Sequence, residues 1–239
     1  AIRAETARHY EPYWQGLHVT AHVVFAELLR AVDDGTIKID IHPDDARDAT
    51  RVCFAMQDHP GIFSRLAGAL ALSGANVVDA RTFTTKDGYV TAAFWIQDRD
   101  GSPYEDIRIP RLRETIRRTL MGEVVAGEAI QPKEKMKKRE KAFRVPTSIT
   151  FDNEGSEIFT IIEVDTRDRP GLLFDLTRTL AHLNISISSA VIATYGEQAV
   201  DTFYVKDMFG LKLHSQVKRE LVERRLRAAI EEGGARARA

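Results

Sequence analysis

Apolar and polar residues alternate from Ile37 to His42, with Ile37, Ile39 and Ile41 set against Lys38, Asp40 and His42. A period of two predicts a half-buried strand. Pro43-Asp44-Asp45 reads as a turn, and the apolar run Val52–Met56 as the returning strand. Strands joined by a tight turn pair as neighbours, which places Ile37–Ile41 beside Arg51–Met56. A helix is expected from about Gly61 to Ser73, because Ile62, Leu66 and Leu70 fall on one face, and Gly74-Ala75-Asn76 ends it. Val77–Thr85 and Tyr89–Gln97 read as strands around a Lys86-Asp87-Gly88 hairpin turn. A second helix runs from about Glu105 to Leu120, with Pro110 expected to break or restart it.

The same order then recurs. Thr147–Phe151 and Ile158–Val164 read as strands, Gly171–Leu183 as a helix, and Ile185–Tyr195 with Ala199–Lys206 as a hairpin around Gly196-Glu197. A helix from about His214 to Glu231 closes the unit. Asp58 and Asp168, Pro60 and Pro170, Gly61 and Gly171, Leu66 and Leu176, Leu70 and Leu180, and Ala80 and Ala190 keep an offset of 110 residues. The offset slips to 109 in the hairpin, where Phe94 meets Phe203 and Asp98 meets Asp207. A period this long means two copies of one module rather than a solenoid of small repeats. Each copy reads strand–strand–helix–strand–strand–helix, an α+β ferredoxin-like sandwich with an antiparallel sheet, two helices on one face, and the leading strand at an edge. Residues 1–35 form a helical lead-in, expected to come from an upstream domain. Its apolar positions Tyr10, Tyr13, Trp14, Leu17, Val24, Leu28 and Val32 recur at helical spacing. The expected bounds are 36–121 for the first module, 122–145 for a linker, 146–232 for the second module, and 233–239 for a disordered tail.

Composition narrows the function classes. Net charge is −1 over 239 residues, so no global field calls for nucleic acid or an acidic membrane. No apolar run approaches the roughly 20 residues of a membrane span. Cys53 is the only cysteine, which excludes an intramolecular disulfide and fits a reducing cytoplasm. His18 and His22 have the spacing of two ligands on one helix face, but nothing nearby completes a metal set. The linker is basic, with Lys133, Lys135, Lys137, Lys138, Arg139, Lys141 and Arg144 against Glu134 and Glu140. It reads as a solvated spacer or as a patch for an acidic partner. Phe143 alone is a poor stacking platform for RNA.

The candidate chemistry lies in the repeated D-x-P-G. Aspartate can cap a helix, proline suits its first turn, and glycine allows close approach to the backbone. Free N–H groups at the positive end of a helix suit an α-carboxylate, and the neighbouring aspartate suits an ammonium. One copy alone reads as a tidy turn; two in matched contexts point to a shared ancestral module.

These residues carry a resemblance. A strand, then D-x-P-G-[IL]-[FL], then a helix, then an apolar strand holding Ala80 or Ala190, resembles the ACT domain, a small regulatory module that binds amino acids, usually between two copies. The whole chain is similar to the regulatory region of a family of nitrogen-sensing enzymes that attach uridylyl groups to a PII signal protein and remove them. The matching stretches are His9–Leu17, Asp168–Leu173, Ala190–Glu197 and the basic approach to Phe143-Arg144-Val145-Pro146-Thr147. The resemblance implies glutamine as ligand, with upstream catalytic domains of the same protein and the PII protein as partners. It also allows self-association through ACT sheets. It implies magnesium in the parent enzyme and no cofactor or catalytic residue in this region. In keeping with that, Gly101-Ser102 lacks a following D-x-D pair and no histidine is followed by aspartate. In related domains the residue at Asp58 or Asp168 and an Asn eighteen positions later hold the ligand. That implicates Asp58, His59, Gly61, Ile62, Phe63 and Asn76 in the first module. In the second it implicates Asp168, Arg169, Gly171, Leu172, Leu173, Ser186 and the nearby Asn184. Two other readings stand beside it: an interaction module with no small ligand, and an ACT region serving another metabolic enzyme, such as a biosynthetic dehydrogenase or an alarmone synthetase.

Overall fold

In a computed structural model describing residues 2–33, 35–122 and 145–238, the strands of both modules join in one antiparallel sheet of eight. The first module supplies β1 (Lys38–Asp44), β2 (Ala49–Gln57), β3 (Asn76–Thr84) and β4 (Tyr89–Gln97). The second supplies β5 (Ser148–Asp152), β6 (Thr160–Arg167), β7 (Ser186–Tyr195) and β8 (Gln198–Lys206). The order is β1-β2-β4-β3-β7-β8-β6-β5. The leading strands take the edges as expected: Ile39 pairs with Phe54, and Ile149 with Val164. The seam is β3 against β7, where Arg81 lies opposite Val191. The inner sheet edges of the two modules are therefore used on each other within one chain.

Pro43-Asp44 is not a turn. Both residues extend β1, an edge strand that tolerates a missing N–H, and the reversal falls to the 3-10 turn Asp45–Arg47 with Asp48 in the left-handed region at φ 49°. Pro110 does restart its helix: a 3-10 turn at Asp106–Arg108 gives way to a helix with proline in its first turn.

Ahead of the sheet come α1 (Ile2–Arg8), α2 (Glu11–Gly16) and α3 (Val19–Ala31). The modules add α4 (Ile62–Leu72) and α5 (Ile109–Leu120), then α6 (Leu172–His182) and α7 (Gln216–Arg238). Helices α4 to α7 bury one continuous apolar core against one face of the sheet, including Phe54, Leu66, Leu70, Phe94, Ile116, Ile162, Leu176, Phe203, Val222 and Leu226. The lead-in helices cover the other face of the first module. Tyr13, Leu17, Ala21 and Phe25 pack there on Ala49, Cys53, Phe83, Ala93 and Trp95. Alternate residues of β2 thus serve two cores, Val52, Phe54 and Met56 on one side and Ala49 and Cys53 on the other. Of the lead-in aromatics, Tyr13 is buried, while Tyr10 and Trp14 face solvent.

The disordered tail expected over 233–239 is corrected by the course of α7, which stays helical to Arg238. Gly233 is buried there beneath Arg169 and Asp175, where a side chain would collide, and Arg236 lies 3.5 Å from Asp175. Apart from Gly122 and Val145, the basic linker of 122–145 lies outside the described residues.

Candidate functional site

The D-x-P-G segments fold identically, and neither aspartate caps a helix. The N-cap positions are Gly61 (φ 79°, ψ 4°) and Gly171 (φ 77°, ψ 1°), with no side-chain cap bond at either. The Ile62 N–H donates to the His59 carbonyl and the Leu172 N–H to the Arg169 carbonyl, each at 3.2 Å. Proline at the second place, glycine near (+80°, 0°) at the third, and a bond from fourth to first define a type II turn. That geometry explains P-G at the peptide level, since only glycine enters the third place without strain. The aspartate backbone instead ties the turn to the hairpin tip: the Asp58 N–H donates to Gly88 at 2.9 Å and the Asp168 N–H to Glu197 at 2.8 Å. Beyond each turn the following N–H groups have no carbonyl of their own helix to bond.

Helices α4 and α6 pack against each other in opposite directions. Gly61, opening α4, faces Ala181 near the end of α6, at 3.9 Å from where its own Cβ would stand. At the other end, Ala67, Ala71 and Ala75 face the segment from Asp168 to Phe174 across a cleft of about 40 Å³. Asn76 and Val77 belong to the first-module wall of this cleft, and Ile192, Thr194, Ala199 and Asp201 form its sheet floor. The site is therefore composite. Asn76 comes from the first module and Asp168, Arg169, Gly171, Leu172 and Leu173 from the second.

The other candidates lie elsewhere. Asp58, His59, Gly61, Ile62 and Phe63 sit at the opposite end of the α4–α6 pair, and Ser186 is the second-module counterpart of Asn76. Asn184 ends a helix. It is left-handed at φ 55°, like its counterpart Gly74 at φ 74°, and its N–H closes the end of α6 on Ala181 at 3.0 Å. It is a helix terminator, the role in which Asn substitutes for glycine.

Arg169 and His59 occupy the same place in the two turns but have different partners. Arg169 donates to Asp175 at 2.7 Å and to the Ala229 carbonyl of α7 at 3.2 Å. In the first module the arginine stands at the Asp175 position: Arg65 meets His59 at 2.8 Å and donates to the Leu120 carbonyl at the end of α5. Each module thus fastens its last helix to its D-x-P-G turn with one arginine, supplied from opposite sides.

Asp201 escapes a motif search but breaks a pattern. Ala199, Asp201, Phe203 and Val205 are the inward residues of β8, and all are buried. Asp201 is 2% exposed, and its Oδ1 has no hydrogen-bond partner among the described residues. Burial raises its pKa well above the usual carboxylate range, and the charge of Asp168 pushes the same way. Asp168, half-buried, is raised by burial, against which the Arg169 backbone N–H and guanidinium pull down. A charged residue at an inward strand position was the available signal.

Both members of the histidine pair have local contacts. His18 opens α3, accepting from the Thr20 N–H at 3.4 Å, and His22 Nε2 lies 3.1 Å from the Tyr13 carbonyl. Among the described residues no group of three His, Cys, Asp or Glu could hold a metal ion, and no helix is long and apolar enough to cross a membrane.

Comparison with known proteins matches both halves. The profile of the ACT domain matches residues 51–108, and that of the ACR family N-terminal ACT domain matches 156–232. A bifunctional uridylyltransferase/uridylyl-removing enzyme of Ruegeria pomeroyi is 66% identical over 100% of this chain and 27% of its own length. One of Cereibacter sphaeroides is 68% identical over 99% and 26%, and one of Rhodospirillum rubrum 39% identical over 93% and 24%. The chain thus spans about a quarter of the length of these relatives.

Proposed function

From the premise that this chain is a tandem ACT region homologous over its full length to bifunctional uridylyltransferase/uridylyl-removing enzymes, we propose that it senses an α-amino acid, glutamine first among candidates, and regulates catalytic domains elsewhere in such an enzyme. The observation that carries this reading is the composite cleft, in which Asn76 of one module and Asp168 of the other line the same space. The ligand carboxylate meets the N–H groups that open α6, where the helix dipole favours negative charge. The ammonium meets Asp168. A cleft of about 40 Å³ has room for a few water-sized groups, so it takes the polar head of an amino acid while the side chain lies along the mouth towards Asn76. A primary amide needs both a donor and an acceptor, and an Asn side chain offers both.

A ligand held between modules alters their mutual fit, and that is how the signal leaves the site. It regulates a distant centre only if the two states of the whole enzyme differ in affinity for it. The addition and removal of uridylyl groups on a PII protein, with magnesium, belong in this reading to the rest of the enzyme.

A thermal-shift series with the twenty amino acids tests the proposal, since a ligand that binds only the folded chain raises its Tm. Glutamine is expected to give the largest rise. No rise with any amino acid would favour an interaction module without a small ligand.

A further inference from the structure

We propose that Asp201 and Asp168 together form a seat for a primary ammonium group on the floor of the composite cleft, and that the chain contains this seat once, in the second module only. The inference deepens the amino-acid reading and rests on it. Asp201 lines the cleft, is almost wholly buried and has no partner for Oδ1 among the described residues. A buried carboxylate without a partner is costly, so it persists where something outside the protein supplies the missing charge and donors. An ammonium group brings both: a positive charge and three N–H donors, enough for two carboxyl groups and a backbone carbonyl. A carboxylate or phosphate ligand head would meet repulsion at the same place.

The claim of a single seat comes from the sister module. The position matching Asp201 across the 109-residue offset of the hairpins is Ala92. The sheet contexts agree: Asp201 lies opposite Val164 and Ile192, and Ala92 opposite Phe54 and Thr82. Ala92 is fully buried beneath the first module's helices, so the first turn offers only Asp58, which faces solvent. The duplication has left two similar turns, and one of them has a second carboxyl group under it.

Calorimetry of glutamine against the whole chain, Asp201→Asn, Asp201→Ala and Asp58→Ala tests this. One glutamine per chain is expected, weakened about ten- to a hundredfold by either change at Asp201, and unaffected by Asp58→Ala. Asp201→Ala reproduces the residue already tolerated at position 92, and it removes an unpaired buried acid. Its Tm without ligand should therefore rise, whereas a merely structural aspartate would lower it. Two equivalent sites per chain, or unchanged affinity in both Asp201 variants, would overturn the proposal. A parallel titration with ethylammonium chloride, followed by the carboxyl carbon NMR signals of the aspartates, separates the two readings. If glutamine fails to bind but ethylammonium moves the Asp201 and Asp168 signals together, the seat stands and the amino-acid reading falls. If neither ligand acts on Asp201, both fall.

Discussion

Arg81 pairs across the seam with Val191, its own counterpart in the repeat. A residue that meets its own duplicate marks a local twofold axis, so the two modules are arranged as two copies of one ACT domain would be in a symmetric dimer. Directly opposed positions in an antiparallel pair lie about 4.5–5.5 Å apart at Cα, within reach of a disulfide. The double variant Arg81→Cys/Val191→Cys should form an intrachain bond on mild oxidation, read as a monomer on non-reducing gels with loss of two free thiols. A covalent dimer would mean that the seam forms between chains instead.

Cys53 reports on the lead-in helices. It is buried between the sheet and α3, and burial pushes its thiol up to about 12. Phe25 fills the same cluster with no exposed surface. Phe25→Ala should cost about 3–5 kcal/mol of stability, by the usual cost of removing a buried phenyl ring. Labelling of Cys53 by an aromatic disulfide should be slow in the native chain and much faster in the variant. Equal rates would mean that the lead-in does not seal this face.

Arg169 is the buried clasp of the second module, joining the turn to Asp175 and to α7. Among the described residues, Arg169→Ala leaves Asp175 with the more distant Arg236 and should cost about 1–3 kcal/mol. Urea denaturation reads this directly as a lowered midpoint with an unchanged slope. A neutral result would show that Arg236 or solvent takes over the carboxylate.

His9 gives the stability a pH dependence. It is buried, stacked on Tyr13 at 3.7 Å, and lowered to about 4, by desolvation first and by the charge of Arg8 next. The folded chain therefore binds fewer protons at His9 than the unfolded chain between about pH 4 and pH 6.5. The contribution is fully present above about pH 6.5 and is lost as pH falls towards 4, a change on the order of 2–3 kcal/mol. Urea midpoints at about pH 7.5 and pH 5 should differ more for the native chain than for His9→Asn. Identical differences would remove His9 as the cause.

The architecture was legible because it was written twice: a strand period of two, helix faces and a constant offset gave both modules and the edge positions of β1 and β5. What a local pattern cannot carry is which parts meet after folding. The sequence leaves open which module supplies which half of the site, and only the antiparallel packing of α4 on α6 puts Asn76 and Asp168 at one cleft. The D-x-P-G motif suggests a capped helix start, because Asp and Pro favour that role statistically. The glycine φ values and the carbonyl at the x position make it a type II turn instead. Asn184 carries two meanings in the sequence, because Asn serves both as a side-chain donor and as a left-handed helix end, and the fold shows it in the second role. Asp201 was visible as an acid at an inward strand position, but its meaning depends on the cleft above it.

A crystal structure of the chain grown with glutamine locates the ligand. One ligand is expected, between Asn76 and the turn from Asp168 to Leu173, its ammonium on Asp168 and its carboxylate at the start of α6. A ligand bound at the Asp58 turn, or an empty Asn76–Asp168 cleft in crystals saturated with glutamine, would contradict it.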